Sequence, residues 1–527
     1  MTILKLQQAF GESYTNDVGV LVLGLGESGL AMARWCHAQG ARVSVADTRQ
    51  ESQLSDAARK SAAELKGLGI KIEYGQLSAS LLEAKQIIAI SPGLSPIQEP
   101  VQSFLAAAKE QNIAVWGEIE FFAKALQAIE REYQHQSRVI AITGTNGKTT
   151  TTSLTGLLCE KSGQRVAVAG NISPAALDKL GQVLEERDEL VAELPQIWVL
   201  ELSSFQLEHT YSLAADAATV LNLSQDHLDW HGDMASYAKA KERIYQNAKA
   251  AVLNRDDPLV SAMAKGLTKQ QRQITFGFDT PTEEDSFGIH HDTSAGGIDW
   301  LVWAEPDWEA LENPGRRRRK SERDEPLRIK RLMPSDALRI KGRHNAANAL
   351  AALALASALG LHIGPMLHAL REYAGEPHRV QSVAVVNDVE YIDDSKGTNV
   401  GATLAALQGL GQGQTRSKII LLAGGEGKGQ DFAPLQAAVA AYAKAVIVFG
   451  KDGPLIAEAM SQSGIAIQAA QSLPEAVQKA TQLAVSGDMV LLSPACASFD
   501  MFKDYAHRAQ VFVEAVNELA HEQGQVN

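Results

Sequence analysis

Residues 139–152 read VIAITGTNGKTTTT. An apolar run, a turn holding two glycines and a lysine followed by hydroxyls give the order strand, phosphate loop, helix. In such a loop successive backbone N–H groups and the helix N-terminus cradle phosphate oxygens. The lysine brings a point charge to the outer phosphates, and the next hydroxyl reaches Mg²⁺. Gly144, Gly147, Lys148 and Thr149 fit those roles, with Thr145, Asn146 and Thr150 completing the loop. The usual loop has four residues between its glycines; here Thr145 and Asn146 alone separate them, so a shortened loop is expected.

Downstream, RVAVAGNI, QIWVLELSS, AATVLNLSQDH and AAVLNRDD are short β-rich runs between helical stretches, the pattern of an α/β domain around a mostly parallel sheet. Glu201 follows the run IWVL, at a strand end where a second ligand to the loop's Mg²⁺ would sit. In SQDHLDWHGD, His227 and His231 stand at helical i, i+4 spacing with Asp226 and Asp229 nearby, a likeness to a zinc pair that lacks the zincin glutamate and any cysteine cluster. A single histidine assisting a phosphate-bound Mg²⁺ is the better reading. Lysines in YAKAKERIYQNAK read as ordinary solvated helix residues. Asn345 and Asn348 share one face of the first turn of an apolar helix, where two amides either grip a nucleotide or cap the helix.

A second α/β unit precedes the loop. VGVLVLGLGESGLAMARWCHAQGARVSVAD reads as strand, Gly-rich turn, helix, strand, with Gly24, Gly26 and Gly29 in G-x-G-x-x-G spacing and Asp47 ending the next strand. Alone it suits a nicotinamide dinucleotide, another nucleotide or a merely structural turn; Asp47, Thr48 and Arg49 would meet a sugar, a base or a diphosphate. AKQIIAISPG and NIAVWGEIEFF continue the alternation, and a polar helix or linker, ALQAIEREYQHQSR, leads to the phosphate-loop strand. A third unit follows about residue 375: VEYIDDSKGTN, KIILLAGGEGKG, KAVIVFGKDG and DMVLLSPACAS. It gathers Arg379, Asp394, Lys396, Thr398, Lys428 and Ser498 at strand-to-loop junctions, where ligands sit in open α/β sheets. Several cations and hydroxyls there suit an acidic substrate. Cys496 has no evident base beside it, so no catalytic thiol is expected.

The expected fold class is therefore α/β, three domains in series: Rossmann-like over 1–135, a P-loop ATPase-like central domain over 136–375, and a Rossmann-like domain over 376–527. Residues 280–335 break the pattern with a polar, Gly/Pro-punctuated stretch that includes GRRRRKSERDE; mixed charge there predicts a solvated surface loop rather than an anion site.

The chain has 527 residues, too long for one ordinary core, and is 45% apolar and 21% charged, as soluble globular proteins are. A formal charge of −13 and a pI near 5.5 argue against nucleic acid as the main partner and favour a small molecule. Three widely spaced cysteines, Cys36, Cys159 and Cys496, exclude a disulfide framework and suit a reducing compartment. No uninterrupted apolar run approaches the ~18 residues of a membrane span, and the N-terminus lacks a signal-peptide core, so a cytoplasmic location without membrane insertion is expected.

Taken together, GLGESG, DTR, SPG, TGTNGKTT, GNI, LELSSFQLE, DHLD, AKERIY, HNAANALAA, PHR, DDSKGTN, GGEGK and SPACASFDMF resemble, in that order, the Mur ligases, ATP-dependent amide-forming enzymes of peptidoglycan synthesis. The resemblance covers almost the whole chain outside 280–335 and points to the branch that adds D-glutamate to UDP-N-acetylmuramoyl-L-alanine. It displaces the nicotinamide reading: Ser28, Asp47, Thr48 and Arg49 would serve the uridine nucleotide, with Ser91 to Gly93 close by. It implies Thr149 and Glu201 on a first Mg²⁺, with His227 and a carbamylated Lys241 on a second. Asn171 and Ser203 would meet the muramoyl substrate. Asn345, Asn348, Arg379 and Asp394 would close over ATP, and Lys396 would lie near the transferred phosphate. Thr398, Lys428, Ser498, Phe499 and Tyr505 would catch D-glutamate, although the family commonly has Phe where Tyr505 stands. The enzyme is expected to act as a monomer. Competing expectations are a relative adding another amino acid, a folylpolyglutamate synthase, a nicotinamide dehydrogenase or a nucleotide-binding regulator; the chain lacks the DNPR stretch expected of a diaminopimelate-adding relative.

Overall fold

A computed structural model describes residues 5–524 apart from 7, 15–16, 186–192, 296, 306–327, 341 and 412–418. Among the described residues the strands form three sheets, one per α/β unit. The first contains β1 (Gly19–Leu23), β2 (Arg42–Asp47), β3 (Lys71–Tyr74), β4 (Ile87–Ile90) and β5 (Ala114–Trp116), all parallel in the order β3-β2-β1-β4-β5. The order reverses direction at β1, so the loops after β1, β2 and β4 meet at one crevice beyond their carboxyl ends. These central strands are buried on both faces, which is why GVLVL and IIAI read as unbroken apolar runs.

The second sheet runs β14-β13-β12-β11-β10-β9-β6-β8-β7. Its parallel part is β6 (Arg138–Thr143), β7 (Val166–Gly170), β8 (Ile197–Glu201), β9 (Ala217–Val220), β10 (Ala250–Asn254), β11 (Arg272–Phe276) and the start of β12 (Ser286–Asp292). β6 lies between β8 and β9, so the phosphate loop opens beside the ends of both. The helix Glu118–Tyr133 bridges the first two sheets, burying Ile119, Phe121, Phe122, Ala125 and Ile129 in a core that both share; Phe122 meets Trp198 of β8 edge-on at 4.9 Å.

The structure corrects the loop expected at 280–335. β12, β13 (Ile298–Ala304) and β14 (Ile329–Pro334) are antiparallel strands that extend the central sheet. Phe287, Leu301 and Met333 turn into the core, and Phe287 stacks on Trp303 with centroids 5.6 Å apart. On the same ribbon Lys330 lies over the Trp303 ring and Arg331 over that of Trp300. Charged stems covering aromatic rings let a polar stretch form strands. The Arg-rich run 316–319 lies outside the described residues.

The third sheet is β15 (Gln381–Val386), β16 (Val389–Asp393), β17 (Ile419–Gly424), β18 (Ala443–Phe449), β19 (Ala466–Ala469) and β20 (Met489–Leu492), in the order β15-β16-β20-β17-β18-β19; only β15 pairs antiparallel. Three mixed or parallel α/β sheets in series is the architecture expected. Among the described residues no helix is long and apolar enough to cross a membrane.

Candidate active site

β6 delivers the phosphate loop, and the helix Lys148–Lys161 leaves it. Gly147 caps that helix at φ 81°, a left-handed conformation that suits glycine, and a Cβ there would lie 2.4 Å from Asn348 Oδ1. Asn345 and Asn348 are buried at the start of the helix Arg343–Ala358, with Asn348 Nδ2 donating to Asn345 Oδ1 at 3.1 Å. Asn348 therefore lies against the loop, with Asn345 bonded to it. Asn222, after β9, grips Asn146 at both ends of its peptide: its Oδ1 accepts from Asn146 N at 2.8 Å and its Nδ2 donates to Asn146 O at 3.0 Å.

Two lysines converge on the loop. Lys148 Nζ donates to the carbonyls of Gly144 and Thr145 at 2.9 and 2.8 Å, and Lys241 Nζ donates to Gly144 O at 2.9 Å and Thr143 Oγ1 at 3.3 Å. Burial lowers the pKa of Lys148. At Lys241, burial and then the Lys148 charge hold the amine well below the usual lysine value, against the pull of Asp226 and Glu201. The expectation of a solvated helix lysine fails there: Lys241 is fully buried in the helix Met234–Glu242.

Glu201 ends β8 with Oε1 accepting from Asn171 Nδ2 at 2.7 Å, while its buried Oε2 has no protein partner. An orphaned carboxylate oxygen beside a phosphate loop fits a hard divalent cation. His227 sits at φ 54°, outside the short helix Leu228–His231, with its Nε2 3.6 Å from Asp226 Oδ2. Burial lowers its pKa, so the ring is a neutral donor-acceptor available to a metal. His231 instead meets Ser204 Oγ at 2.9 Å, and burial pushes it down to about 4. The i, i+4 spacing thus does not make a shared metal site, because the first histidine lies outside helical geometry.

The third domain reaches across. Arg379 Nη2 donates to Thr149 Oγ1 at 2.8 Å, and its buried Nε has no protein partner. Asp394 is buried, accepting from Ser493 Oγ at 2.6 Å and Val380 N at 3.3 Å, and burial pushes it up to about 7. Lys396 Nζ lies 5.2 Å from the centroid of the Tyr505 ring, and burial lowers its pKa. Thr398 follows in the same loop; Ser498 is buried after β20; Lys428, at φ 52°, and Phe499, 65% exposed, stand on the open side. Burial pushes the Cys496 thiol up to about 12, consistent with an inert group.

The first domain holds a separate cavity of about 490 Å³, lined by the Gly-rich turn with Ser28, by Asp47, Thr48 and Arg49, and by Ser91 and Gly93. Arg49 forks onto Asp47, Nε to Oδ1 at 2.8 Å and Nη2 to Oδ2 at 2.7 Å, and Leu25 N donates to Asp47 Oδ2 at 2.9 Å. Burial opposes ionisation of Asp47, yet these bonds hold its pKa below the usual value. Ser203 is engaged as the cap of the helix Ser204–Glu208, accepting from Gln206 N at 3.2 Å.

Further residues besides Asn222 enter the site that were not assigned to it from the sequence. Tyr237 bonds Thr145 Oγ1 through its hydroxyl at 3.0 Å, and Lys241 Nζ lies 4.7 Å from its ring centroid. Its signal was the i, i+4 spacing to Lys241 on one helix. His378 Nδ1 lies 2.7 Å from Asp393 Oδ2, Asp226 stands beside His227, and Asn399 touches both Asn146 and Asp226.

Comparison with known proteins places this geometry. Three family models match in order: "Mur ligase MurD-like, N-terminal domain" over residues 18–117, "Mur ligase middle domain" over 142–356, and "Mur ligase, glutamate ligase domain" over 378–496. A UDP-N-acetylmuramoylalanine–D-glutamate ligase of Ralstonia nicotianae is 53% identical over 508 residues, covering 96% of this chain and 98% of the relative. One of the same name from Cupriavidus metallidurans is 54% identical over 515 residues, covering 96% and 98%. Solved MurF from Acinetobacter baumannii superposes with a TM-score of 0.56 at 17% identity, covering 94% of this chain and 93% of that one. The UDP-N-acetylmuramate–alanine ligase MurC of Thermotoga maritima gives 0.54 at 19%, covering 95% and 99%. These two share the fold. With every unit of the chain matched and full-length relatives more than half identical, the chain belongs to the Mur ligase family.

Proposed function

We propose that the protein joins D-glutamate to UDP-N-acetylmuramoyl-L-alanine at the expense of ATP, in cytoplasmic peptidoglycan precursor synthesis, acting as a monomer with domains at 1–135, 136–375 and 376–527. The observation that carries the chemistry is the contact of Arg379 with Thr149, which sets the cations of the third domain against the phosphate loop of the second. The choice of D-glutamate is supported by the name that the full-length relatives bear.

The cavity lined by Ser28, Asp47, Thr48, Arg49, Ser91 and Gly93 holds the uridine nucleotide. Its muramoyl-alanine arm extends toward Asn171 and Ser203. The alanine carboxylate attacks the γ-phosphorus of ATP, the bond to the β-phosphate oxygen breaks, and ADP leaves an acyl phosphate. The amine of D-glutamate then attacks the acyl carbon, loses a proton, and phosphate departs from a tetrahedral intermediate.

Little covalent chemistry falls to the protein; its work is alignment and charge neutralisation. Lys148, the loop amides of Gly144 to Thr150, Asn345, Asn348, Arg379 and Asp394 hold ATP. Lys396 supports the transferred phosphate. Thr398, Lys428, Ser498, Phe499 and Tyr505 receive D-glutamate. Thr149 and Glu201 would hold one Mg²⁺, His227 and Lys241 a second, and the ions would neutralise phosphate charge.

Lys241 enters that set as a carbamate. Burial, and then the Lys148 charge, hold its amine well below the usual lysine value, which favours the neutral form that is nucleophilic toward CO₂; addition gives a carbamate and a proton, and Lys148 stands near to offset the new negative charge.

Phosphate release from purified protein with ATP, Mg²⁺ and UDP-N-acetylmuramoyl-L-alanine tests the proposal. Release should require D-glutamate and fail with L-glutamate; release supported by another amino acid alone would reassign the substrate.

A further inference from the structure

The helix Val400–Gly411 of the third domain begins against the second domain, and two residues in its first turn make the contact. Asn399, 5% exposed, divides its amide between two tasks. Its Oδ1 accepts from Ala402 N at 2.9 Å, capping its own helix. Its Nδ2 donates outward, to Asn146 Oδ1 at 3.1 Å and to Asp226 Oδ2 at 3.2 Å, bonds that span 253 and 173 residues of sequence. Gly401 lies so close to the same surface that a Cβ on it would come within 2.9 Å of both Asn146 Nδ2 and Ser224 Oγ. The receiving surface is itself fixed: Asn222 holds the Asn146 peptide from both sides, and Ser224 N donates to Thr145 Oγ1 at 3.0 Å.

We propose that this first turn is the seat on which the third domain closes over the phosphate loop, with Asn399 as a positioning residue that ties closure to the loop and to the Asp226–His227 pair. One amide reads two central-domain elements at once, the phosphate loop through Asn146 and the loop after β9 through Asp226. Either bond is lost if the third domain swings away. Asp226 in turn stands 3.6 Å from His227 Nε2, so seating and the placement of His227 are linked through a shared carboxylate. The need for closure rests on the ligase reading given above; the contact itself does not.

Two substitutions in the full-length chain separate seating from folding. Asn399→Asp keeps the capping oxygen but removes the donor and sets a carboxylate against Asp226. Gly401→Ala favours the helix while crowding the seat. In small-angle scattering with the ATP analogue AMP-PNP and Mg²⁺, both variants should have a larger radius of gyration than the unaltered protein, with thermal midpoints in the absence of nucleotide unchanged or, for Gly401→Ala, raised. In the phosphate-release assay kcat should fall at least ~10-fold, the loss of one charge-assisted contact, while KM for UDP-N-acetylmuramoyl-L-alanine stays put, because its cavity lies in the first domain. A residue that only caps its helix predicts that Asn399→Asp scatters and turns over as the unaltered protein does; that result overturns the proposal. Failure of the unaltered protein to release phosphate with D-glutamate would overturn the ligase reading instead, and scattering would still decide the seat.

Discussion

Lys241 places its Nζ 2.9 Å from the carbonyl oxygen of Gly144, fully buried, with Lys148 bonded to the same carbonyl. Two amines on one oxygen is a poor arrangement for two ammonium ions and a good one when one amine is neutral. A neutral Lys241 is what carbamylation requires. Lys241→Ala should therefore reduce turnover by ~10²-fold or more, the scale of losing one electrostatic contact to the transferring phosphate. Acetate or another short carboxylic acid should restore part of it by entering the vacated space. Full activity of the variant without added acid would refute the carbamate.

A second prediction concerns stability and pH. Glu118 is 1% exposed at the start of the helix that joins the first two sheets, its Oε1 accepting from Leu177 N at 3.0 Å. Burial pushes its carboxyl from 4.5 up to about 7. The folded protein thus holds a proton that the unfolded chain releases, so this stabilising contribution is complete below pH ~4.5 and is lost as pH rises through ~7. The loss amounts to on the order of 3 kcal/mol across that window. Glu118→Gln keeps the acceptor and cannot ionise. Denaturation midpoints at pH 5 and pH 8 should show the variant gaining on the unaltered protein at the higher pH; a difference that does not change with pH would refute the buried neutral acid.

What the sequence disclosed follows from how far apart the interacting residues are. Asp47 ends β2, Ser91 follows β4 and Ser28 opens the helix after the Gly-rich turn, so all three line one crevice at the switch point; the resemblance to the Mur ligases is what brought them together before the fold did. The phosphate loop is likewise contiguous. Asn399, by contrast, meets Asn146 across 253 residues, a contact that no spacing encodes. Lys241 reads as a solvated helix lysine until the fold buries it. The strands β12 to β14 were hidden because Lys330 and Arg331 lie over tryptophan rings, which makes the segment polar in composition though sheet-forming in fact.

The separation of the first-domain cavity from the phosphate loop gives a third prediction. Asp47 is held by Arg49 and by Leu25 N, so it shapes the Gly-rich turn from below while Arg49 lines the cavity. Asp47→Asn weakens the fork and leaves the phosphate loop untouched. KM for the uridine substrate should rise ~10-fold or more, matching the ~1.5–3 kcal/mol of a hydrogen bond to a charged group, with KM for ATP unchanged. Equal rises in both would place Asp47 in the fold at large rather than in this cavity.

Gly147 gives the last. Its φ of 81° carries a penalty of about 1–2 kcal/mol for any residue with a Cβ, and that Cβ would stand 2.4 Å from Asn348 Oδ1. Asn348 is the far end of a flexible side chain, so it can turn aside, but doing so breaks its bond to Asn345 Oδ1. Gly147→Ala should therefore lower stability by about 1–2 kcal/mol from backbone strain and weaken nucleotide binding further, because the bonded asparagine pair is displaced. Calorimetric titration with ATP and Mg²⁺ should show the affinity falling ~10-fold or more, while the uridine substrate, for which we propose the first-domain cavity, should titrate as before. An alanine variant that binds ATP normally would mean that the asparagines do not contact the nucleotide and serve only to hold the loop.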